Sequence, residues 1–184
     1  MRIVGGKFRG RPLGSPEGQG IRPTSDRVRE SIFDILTSRL GADLGAPHVL
    51  DLFAGTGAMG IEAISRGAKG CVFIDSGIEA RALLRENVER FGLGGVTKTL
   101  RRDATSLGEA GNLGPFDLVF ADPPYGQGLG EKALASALSG NWLAPDALIV
   151  LEEAKGTAIS KVPGLTVDDM RTYGDTQVLI LIRG

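Results

Sequence analysis

The 184-residue chain holds one cysteine and one histidine, Cys71 and His48. A single thiol cannot close an internal disulfide, and the two residues together cannot supply the four ligands of a structural zinc site. One histidine gives no convincing Ser-His-Asp triad, and no G-x-x-x-x-G-K-[ST] phosphate loop occurs. No apolar run approaches the roughly 20 residues that span a bilayer, and Met1–Lys7 lacks the apolar core of a signal peptide. The expectation is a soluble, cytoplasmic protein. With 42% hydrophobic and 23% charged residues, the composition is neither disordered nor fibrous. One domain is expected, because a chain of this size buries roughly 70% of its extended surface without staples.

The charge is unevenly placed. Residues 1–29 carry seven positive side chains (Arg2, Lys7, Arg9, Arg11, Arg22, Arg27, Arg29) against Glu17 and Asp26. That balance of +5 leaves −6 for the remainder of a chain whose net charge is −1. A basic segment on an acidic domain suits a positioned contact with a polyanion, and a solvated surface is the plain alternative. Glycine is abundant, at 28 residues, about twice average usage.

Alternation of elements dominates from residue 48 onward. Short apolar strands are expected at Val49–Phe53, Cys71–Asp75, Thr97–Arg101, Phe116–Ala121, Ala147–Leu151 and Val178–Ile182, with Thr166–Tyr173 as a further partner. Helices are expected at Ala58–Arg66, Ile78–Phe91 and within Glu131–Leu138, the first two stopped by Gly67 and Gly92. Near-continuous apolar strands between helices imply a mostly parallel, seven-stranded sheet covered on both faces. The last two strands lack a helix between them and should form an antiparallel hairpin. Residues 1–40 read as a basic extension, a short β-hairpin and loop followed by a helix from Thr24 to Leu40. Ser25 or Asp26 caps that helix, and Val28, Ile32, Ile35, Leu36 and Leu40 lie on one face. Residues 41–184 form the core of a Rossmann-like domain.

Ligands of such sheets bind beyond the carboxyl ends of the strands. Asp51-Leu52-Phe53-Ala54-Gly55-Thr56-Gly57-Ala58-Met59-Gly60 lies there, with Gly55, Gly57 and Gly60 spaced as G-x-G-x-x-G between strand and helix. Asp75 closes the second strand, where a carboxylate can accept hydrogen bonds from ribose hydroxyls. A nicotinamide enzyme and an S-adenosylmethionine enzyme would both use it. Asp51 favours the second, since a carboxylate beside a pyrophosphate is repelled but suits the cationic amino end of S-adenosylmethionine. Asp103, after the third strand, can face the adenine amine or simply cap a turn.

Asp122-Pro123-Pro124-Tyr125 is the most specific signal, expected by chance in on the order of one chain in a thousand. An exocyclic base amine is a poor nucleophile because its lone pair is delocalised into the ring. A carboxylate on Asp122 and the Pro123 carbonyl, each accepting one N–H, would let the nitrogen pyramidalise and aim that lone pair at a methyl sulfonium. Tyr125 offers a ring face for a flipped-out base.

Asp51–Gly60 and Asp122–Tyr125 resemble the motifs of amino-methyltransferases acting on nucleobases. Arg2-Ile3-Val4-Gly5-Gly6-Lys7-Phe8-Arg9-Gly10-Arg11 and Arg22-Pro23-Thr24-Ser25-Asp26-Arg27-Val28-Arg29-Glu30-Ser31-Ile32-Phe33 are similar to the bacterial RsmD-type family. That family methylates guanine N2 in 16S ribosomal RNA. The resemblance reaches the Tyr173-Gly174-Asp175-Thr176 turn, and departs in having Asp75 where the family has glutamate as often. It implies a class I methyltransferase fold, S-adenosylmethionine as cofactor with S-adenosylhomocysteine as product, and 16S rRNA or the small ribosomal subunit as partner, at the guanine-966 site. Asp51, Phe53, Gly55, Gly57, Asp75, Asp103 and Ala104 are then the expected cofactor residues. Asp122, Pro123 and Tyr125 are the catalytic ones. Arg9, Arg11, Arg22, Thr24, Arg27, Arg29 and Pro124 are expected to meet the substrate. No metal, no membrane and a monomer are expected. Alternatives are an amine methylase on another nucleic acid, such as adenine N6 in DNA, a nicotinamide-dependent oxidoreductase, and a non-catalytic RNA-binding assembly factor. Cys71 and Trp142 read as packing, with RNA stacking as the alternative for an exposed Trp142, His48 reads as surface, and Glu152 with Glu153 as a solvated strand edge near the expected site, with a substrate contact as the alternative.

Overall fold

The computed structural model describes residues 1–16 and 24–184. After an N-terminal loop, the chain runs through α1 (Asp26–Leu40), β1 (His48–Leu52), α2 (Ala58–Ser65), β2 (Gly70–Ile74), α3 (Ile78–Arg90) and β3 (Thr97–Leu100). It continues through β4 (Phe116–Ala121), α4 (Leu129–Ser139), β5 (Leu143–Ala154), β6 (Leu165–Tyr173) and β7 (Thr176–Arg183). One seven-stranded sheet has the order β3-β2-β1-β4-β5-β7-β6. The strands from β3 to β5 pair in parallel, while β7 runs antiparallel to both β5 and β6.

Alternation within the strands explains why both faces are covered. Val49, Leu118, Phe120 and Val150 pack with Phe33, Leu36 and Ile61 in one core. Their neighbours Leu50, Leu52, Val119, Ile149 and Leu151 pack with Leu134 and Trp142 in the other. Burying both faces leaves no polar alternation in these strands, as a covered parallel sheet requires. The chain leaves β1 toward β2 and β3 and then returns to place β4 on the other side. The strand order therefore reverses between β1 and β4, and a cleft opens beyond their carboxyl ends.

β5 extends well past the apolar run at 147–151. Pro145 and Asp146 are exposed within it, and its pairing with β4 shifts register between Phe116 and Leu118. A proline followed by an acidic residue disguises the first third of the strand as a loop.

The N-terminal segment is not a regular β-hairpin. Its pairing is one isolated bridge, Arg2 with Pro12, around a 3₁₀ turn at Gly6–Phe8. At that bridge Ile3 N donates to the Arg11 carbonyl and Leu13 N to the Met1 carbonyl, and beyond it the N–H groups of Val4, Gly5 and Phe8 are taken by α2. Val4 N and Gly5 N donate to the two carboxylate oxygens of Glu62, both at 2.9 Å. Phe8 N donates to Ser65 Oγ, which in turn donates to the Gly5 carbonyl. Gly6 has φ +76°, and a Cβ there would meet the Ser65 backbone at 2.0 Å. Only glycine permits this approach.

Arg29 also departs from expectation. It is fully buried on α1, so it cannot reach a phosphate. Its guanidinium donates to Glu62 Oε1 at 3.1 Å, to Asp26 Oδ1 at 2.8 Å, and to the Arg2 and Thr24 carbonyls. Burial raises the Asp26 pKa, but the hydrogen bonds from Arg29 and from Arg2 N–H outweigh it and hold the carboxyl below its usual value. Arg29 thus ties α1, α2 and the N-terminal loop together.

Candidate active site

A cleft of about 950 Å³ lies over the carboxyl ends of β1, β2 and β4. Among its lining residues are Asp51, Asp75, Asp103 and Asp122, which follow or end four neighbouring strands. Phe53, Gly55, Thr24, Pro123 and Pro124 line it as well.

Each carboxylate has a different setting. Asp51 is buried, and its Oδ2 accepts from Gly60 N at 3.1 Å. Burial pushes its carboxyl up to about 8, the Gly60 hydrogen bond opposes this, and the Asp75 charge adds to it. Asp75 is half-buried and holds the glycine turn: Oδ2 accepts from Gly55 N at 2.9 Å and Oδ1 from Gly77 N at 2.8 Å. Asp103 is exposed, and the hydroxyl and N–H of Thr105 lower its pKa. Asp122 is half-buried, with Thr24 Oγ1 at 3.1 Å from its Oδ2.

The turn after β1 carries local strain. Phe53 has φ +56° without being glycine, a conformation that persists only when its surroundings impose it. Gly57 is set back from the cleft. Its φ is +79°, and a Cβ would lie 2.3 Å from Leu84 Cδ1, so its glycine serves the turn and the approach of α3. Ala104 is also set back, buried in the second core beside Leu107.

The Asp122–Tyr125 turn is anchored from several sides. Gly126 N donates to Glu153 Oε1 at 2.9 Å. Gly130 of α4 packs so closely that a Cβ would sit 3.3 Å from Pro123 Cγ. Tyr125 stands back from the cleft wall, half-buried, with its hydroxyl 3.2 Å from Glu152 Oε1 and 3.1 Å from Thr176 Oγ1. Glu152 and Glu153 are no solvated edge: both are buried, at 4% and 1% exposure. Glu152 Oε2 lies 3.2 Å from Thr24 Oγ1, which brings it into the site. A pair of glutamates directly after the run Leu148–Leu151 was the available signal, since charge inside a buried strand needs partners.

The basic residues are dispersed. Arg9 and Arg27 are exposed. Arg11 is exposed but partly committed, donating to the Arg90 carbonyl at 2.8 Å and lying over the Phe91 ring at 4.4 Å. Arg22 lies outside the described residues. Among the described residues, no cluster of His, Cys, Asp or Glu could hold a metal ion, and no helix is long and apolar enough to cross a membrane.

A family profile described as conserved hypothetical protein 95 matches residues 1–182. The chain belongs to this family. It is the RsmD-type family that the N-terminal strings resemble. Ribosomal RNA small subunit methyltransferase D of Escherichia coli K12 is 36% identical over 89% of this chain and 79% of its own length. The protein of the same name from Haemophilus influenzae is 32% identical over 95% and 89%. The solved yhhF protein of Escherichia coli superposes with a TM-score of 0.82, at 32% identity, covering 100% of this chain and 97% of that one. The fold of this RsmD-type chain is that of the class I methyltransferases, with the antiparallel β6–β7 hairpin at the sheet edge.

The cleft suits S-adenosylmethionine on its own chemistry. A buried carboxyl with a raised pKa, Asp51, is relieved by a cation, and the ligand's α-ammonium is one. Asp75 keeps lone pairs for ribose hydroxyls while its present donors hold it in place.

Proposed function

We propose that this protein is an S-adenosylmethionine-dependent methyltransferase acting on the exocyclic N2 amine of a guanine in 16S rRNA of the small ribosomal subunit. The observation that carries the proposal is the meeting of Asp122 and Pro123 with Asp51, Gly55 and Asp75 on one cleft. The names of the relatives point to small-subunit rRNA as the substrate class.

When bound, the cofactor supplies an electrophilic methyl group on a sulfonium. Asp51 and the Gly55 turn receive its amino-acid end, Asp75 the ribose and Asp103 the adenine amine. Asp122 and the Pro123 carbonyl accept the two N–H groups of the target amine, which frees the nitrogen lone pair for in-line attack. Asp122 then takes the proton that the methylated nitrogen sheds. Catalysis is mainly positioning and lone-pair release, with no water needed at the reacting nitrogen. Arg9 and Arg27, exposed on the N-terminal loop and at the start of α1, hold RNA phosphates, and Arg11 contributes from its place on Phe91.

The test is transfer of labelled methyl from S-adenosylmethionine to small subunits lacking their guanine methylation, alongside binding of S-adenosylhomocysteine and of NAD. Transfer, together with S-adenosylhomocysteine binding and no NAD binding, supports the reading. NAD binding without transfer overturns it in favour of an oxidoreductase.

A further inference from the structure

Asn87 sits on the third turn of α3 and is fully buried. Its Oδ1 accepts from Gly14 N at 2.8 Å. Its Nδ2 donates to the Thr56 carbonyl at 2.9 Å and, over a longer 3.4 Å, to the Gly14 carbonyl. A backbone N–H only donates and a carbonyl only accepts, so Gly14 and Thr56 together fix which way the amide faces. A Cβ at Gly14 would come within 3.0 Å of Asn87 Oδ1, so the N-terminal segment meets this side chain closely. Burying an amide costs free energy unless its hydrogen bonds are made, a cost that an aliphatic residue on α3 would not carry.

The Thr56 carbonyl belongs to the turn after β1. The chain enters the left-handed region three times there, at Phe53, Gly55 and Gly57, and Phe53 does so without glycine's freedom. Such a turn keeps its shape only where its surroundings hold it. Asp75 takes the Gly55 N–H from the end of β2. The Ala54 carbonyl takes the Gly57 N–H at 2.8 Å, and Asn87 takes the Thr56 carbonyl at the other end of that same peptide unit. Phe53, Gly55 and Thr56 line the cleft, and Asn87 does not. It lies about 13 Å down the axis of α3 from Ile78 at the cleft. We infer that Asn87 is a positioning residue for the cofactor: by holding the Thr56 carbonyl, it keeps the Gly55–Gly57 turn in the shape that receives S-adenosylmethionine. The inference rests on the reading that this turn receives the cofactor's amino-acid end.

Two substitutions separate hydrogen bonding from packing. Asn87→Leu keeps the branch at Cγ and fills the space, but leaves the Thr56 carbonyl and the Gly14 N–H unpaired. Asn87→Ala opens room for about one water, which the Thr56 carbonyl and both backbone groups of Gly14 can hold. Were packing the role of Asn87, Asn87→Leu would be the milder change. Acting through its hydrogen bonds, it makes Asn87→Ala the milder one, because a water restores part of what the amide did.

The experiment compares the full-length parent, Asn87→Leu and Asn87→Ala by calorimetry with S-adenosylhomocysteine and by methyl transfer to small subunits lacking guanine methylation. Asn87→Leu is expected to weaken S-adenosylhomocysteine about tenfold, the worth of one buried hydrogen bond, at undiminished stoichiometry. Asn87→Ala is expected to weaken it about threefold. A variant that is merely less well folded would instead bind fewer equivalents at the parental Kd. In transfer, KM for S-adenosylmethionine should rise in the same order, while kcat at saturating cofactor stays within about threefold. Parental affinity in Asn87→Leu, weaker binding by Asn87→Ala than by Asn87→Leu, or a fall in kcat with KM unchanged overturns the inference. Should Asn87→Leu not fold, Asn87→Ala decides: a loss of about threefold or more at full stoichiometry supports the inference, and parental affinity overturns it. No S-adenosylhomocysteine binding by the parent overturns the functional reading and this inference with it, whereas parental binding that the substitutions leave unchanged overturns this inference alone.

Discussion

Replacing Asp51 with asparagine should strengthen the fold and weaken cofactor binding, with both effects growing as the pH rises. Burial pushes the Asp51 carboxyl up to about 8 from its ordinary 3.8. At pH 7 the folded protein therefore holds a proton that the unfolded chain has released about three pH units earlier. At ~1.4 kcal/mol per unit, this costs the fold about 4 kcal/mol. The sign follows from the raised pKa. The favourable contribution of the neutral carboxyl is complete below about pH 4 and disappears as the pH climbs toward 8. Asparagine keeps an acceptor for Gly60 N and does not ionise, so its stability should not follow that decline. A ligand ammonium beside Asp51 favours the ionised form, so S-adenosylhomocysteine affinity should rise with pH toward about 8 in the parent and stay flat in Asp51→Asn. Urea unfolding at about pH 5.5, 7 and 8.5, with and without S-adenosylhomocysteine, reads both trends. Parallel stability curves for parent and variant, or equal ligand affinity at high pH, would refute the reasoning.

Three further outcomes are expected. Asp122→Ala should abolish methyl transfer while leaving S-adenosylhomocysteine affinity within a few fold, as measured by calorimetry and labelled transfer; retained turnover would remove Asp122 from the mechanism. Glu62→Ala should cost about 3 kcal/mol or more, or about 6–12 °C in Tm, because it removes the buried carboxylate partner of the Arg29 guanidinium and leaves it only Asp26 and two carbonyls. Glu62 accepts from Val4 N, Gly5 N, Arg29 and Arg66, so limited proteolysis should also show the N-terminal loop released; an unchanged melt and digest would contradict this. Neutralising Arg9 and Arg11 should weaken RNA binding and reduce its log–log salt slope by about one for each phosphate that an arginine no longer neutralises. An unchanged slope would mean that the N-terminal loop is not the RNA clamp.

Much of the fold was readable because β1 and β2 are short apolar runs ending in aspartate and glycine and β4 is one closed by aspartate and proline, and each signal is local. What sequence reasoning missed depends on residues far apart in the chain. The expected N-terminal hairpin is held to a single antiparallel bridge because the N–H groups of Val4, Gly5 and Phe8 find Glu62 and Ser65, over fifty positions away. Arg29 reads as a substrate-binding charge beside Arg27 until Glu62 is folded against it. Asp51, Gly55, Asp75 and Asp122 meet as their motifs imply, since strand order alone carries strand ends to one cleft. Glu152 reads as a solvated edge for the opposite reason: its partners Thr24 and Tyr125 come from two separate segments, and neither pairing leaves a spacing to count. Gly57 reads as a cofactor residue because its motif says so, and the motif leaves unread that a Cβ there would lie 2.3 Å from Leu84 Cδ1.

The central claim is tested most directly by identifying the methylated nucleoside. Small subunits lacking their native guanine methylation are incubated with the protein and methyl-labelled S-adenosylmethionine, and the 16S rRNA is digested to nucleosides. The account predicts label in N2-methylguanosine, absent with Asp122→Ala. Label in another methylated base, or no label from a protein that binds S-adenosylhomocysteine, would contradict it.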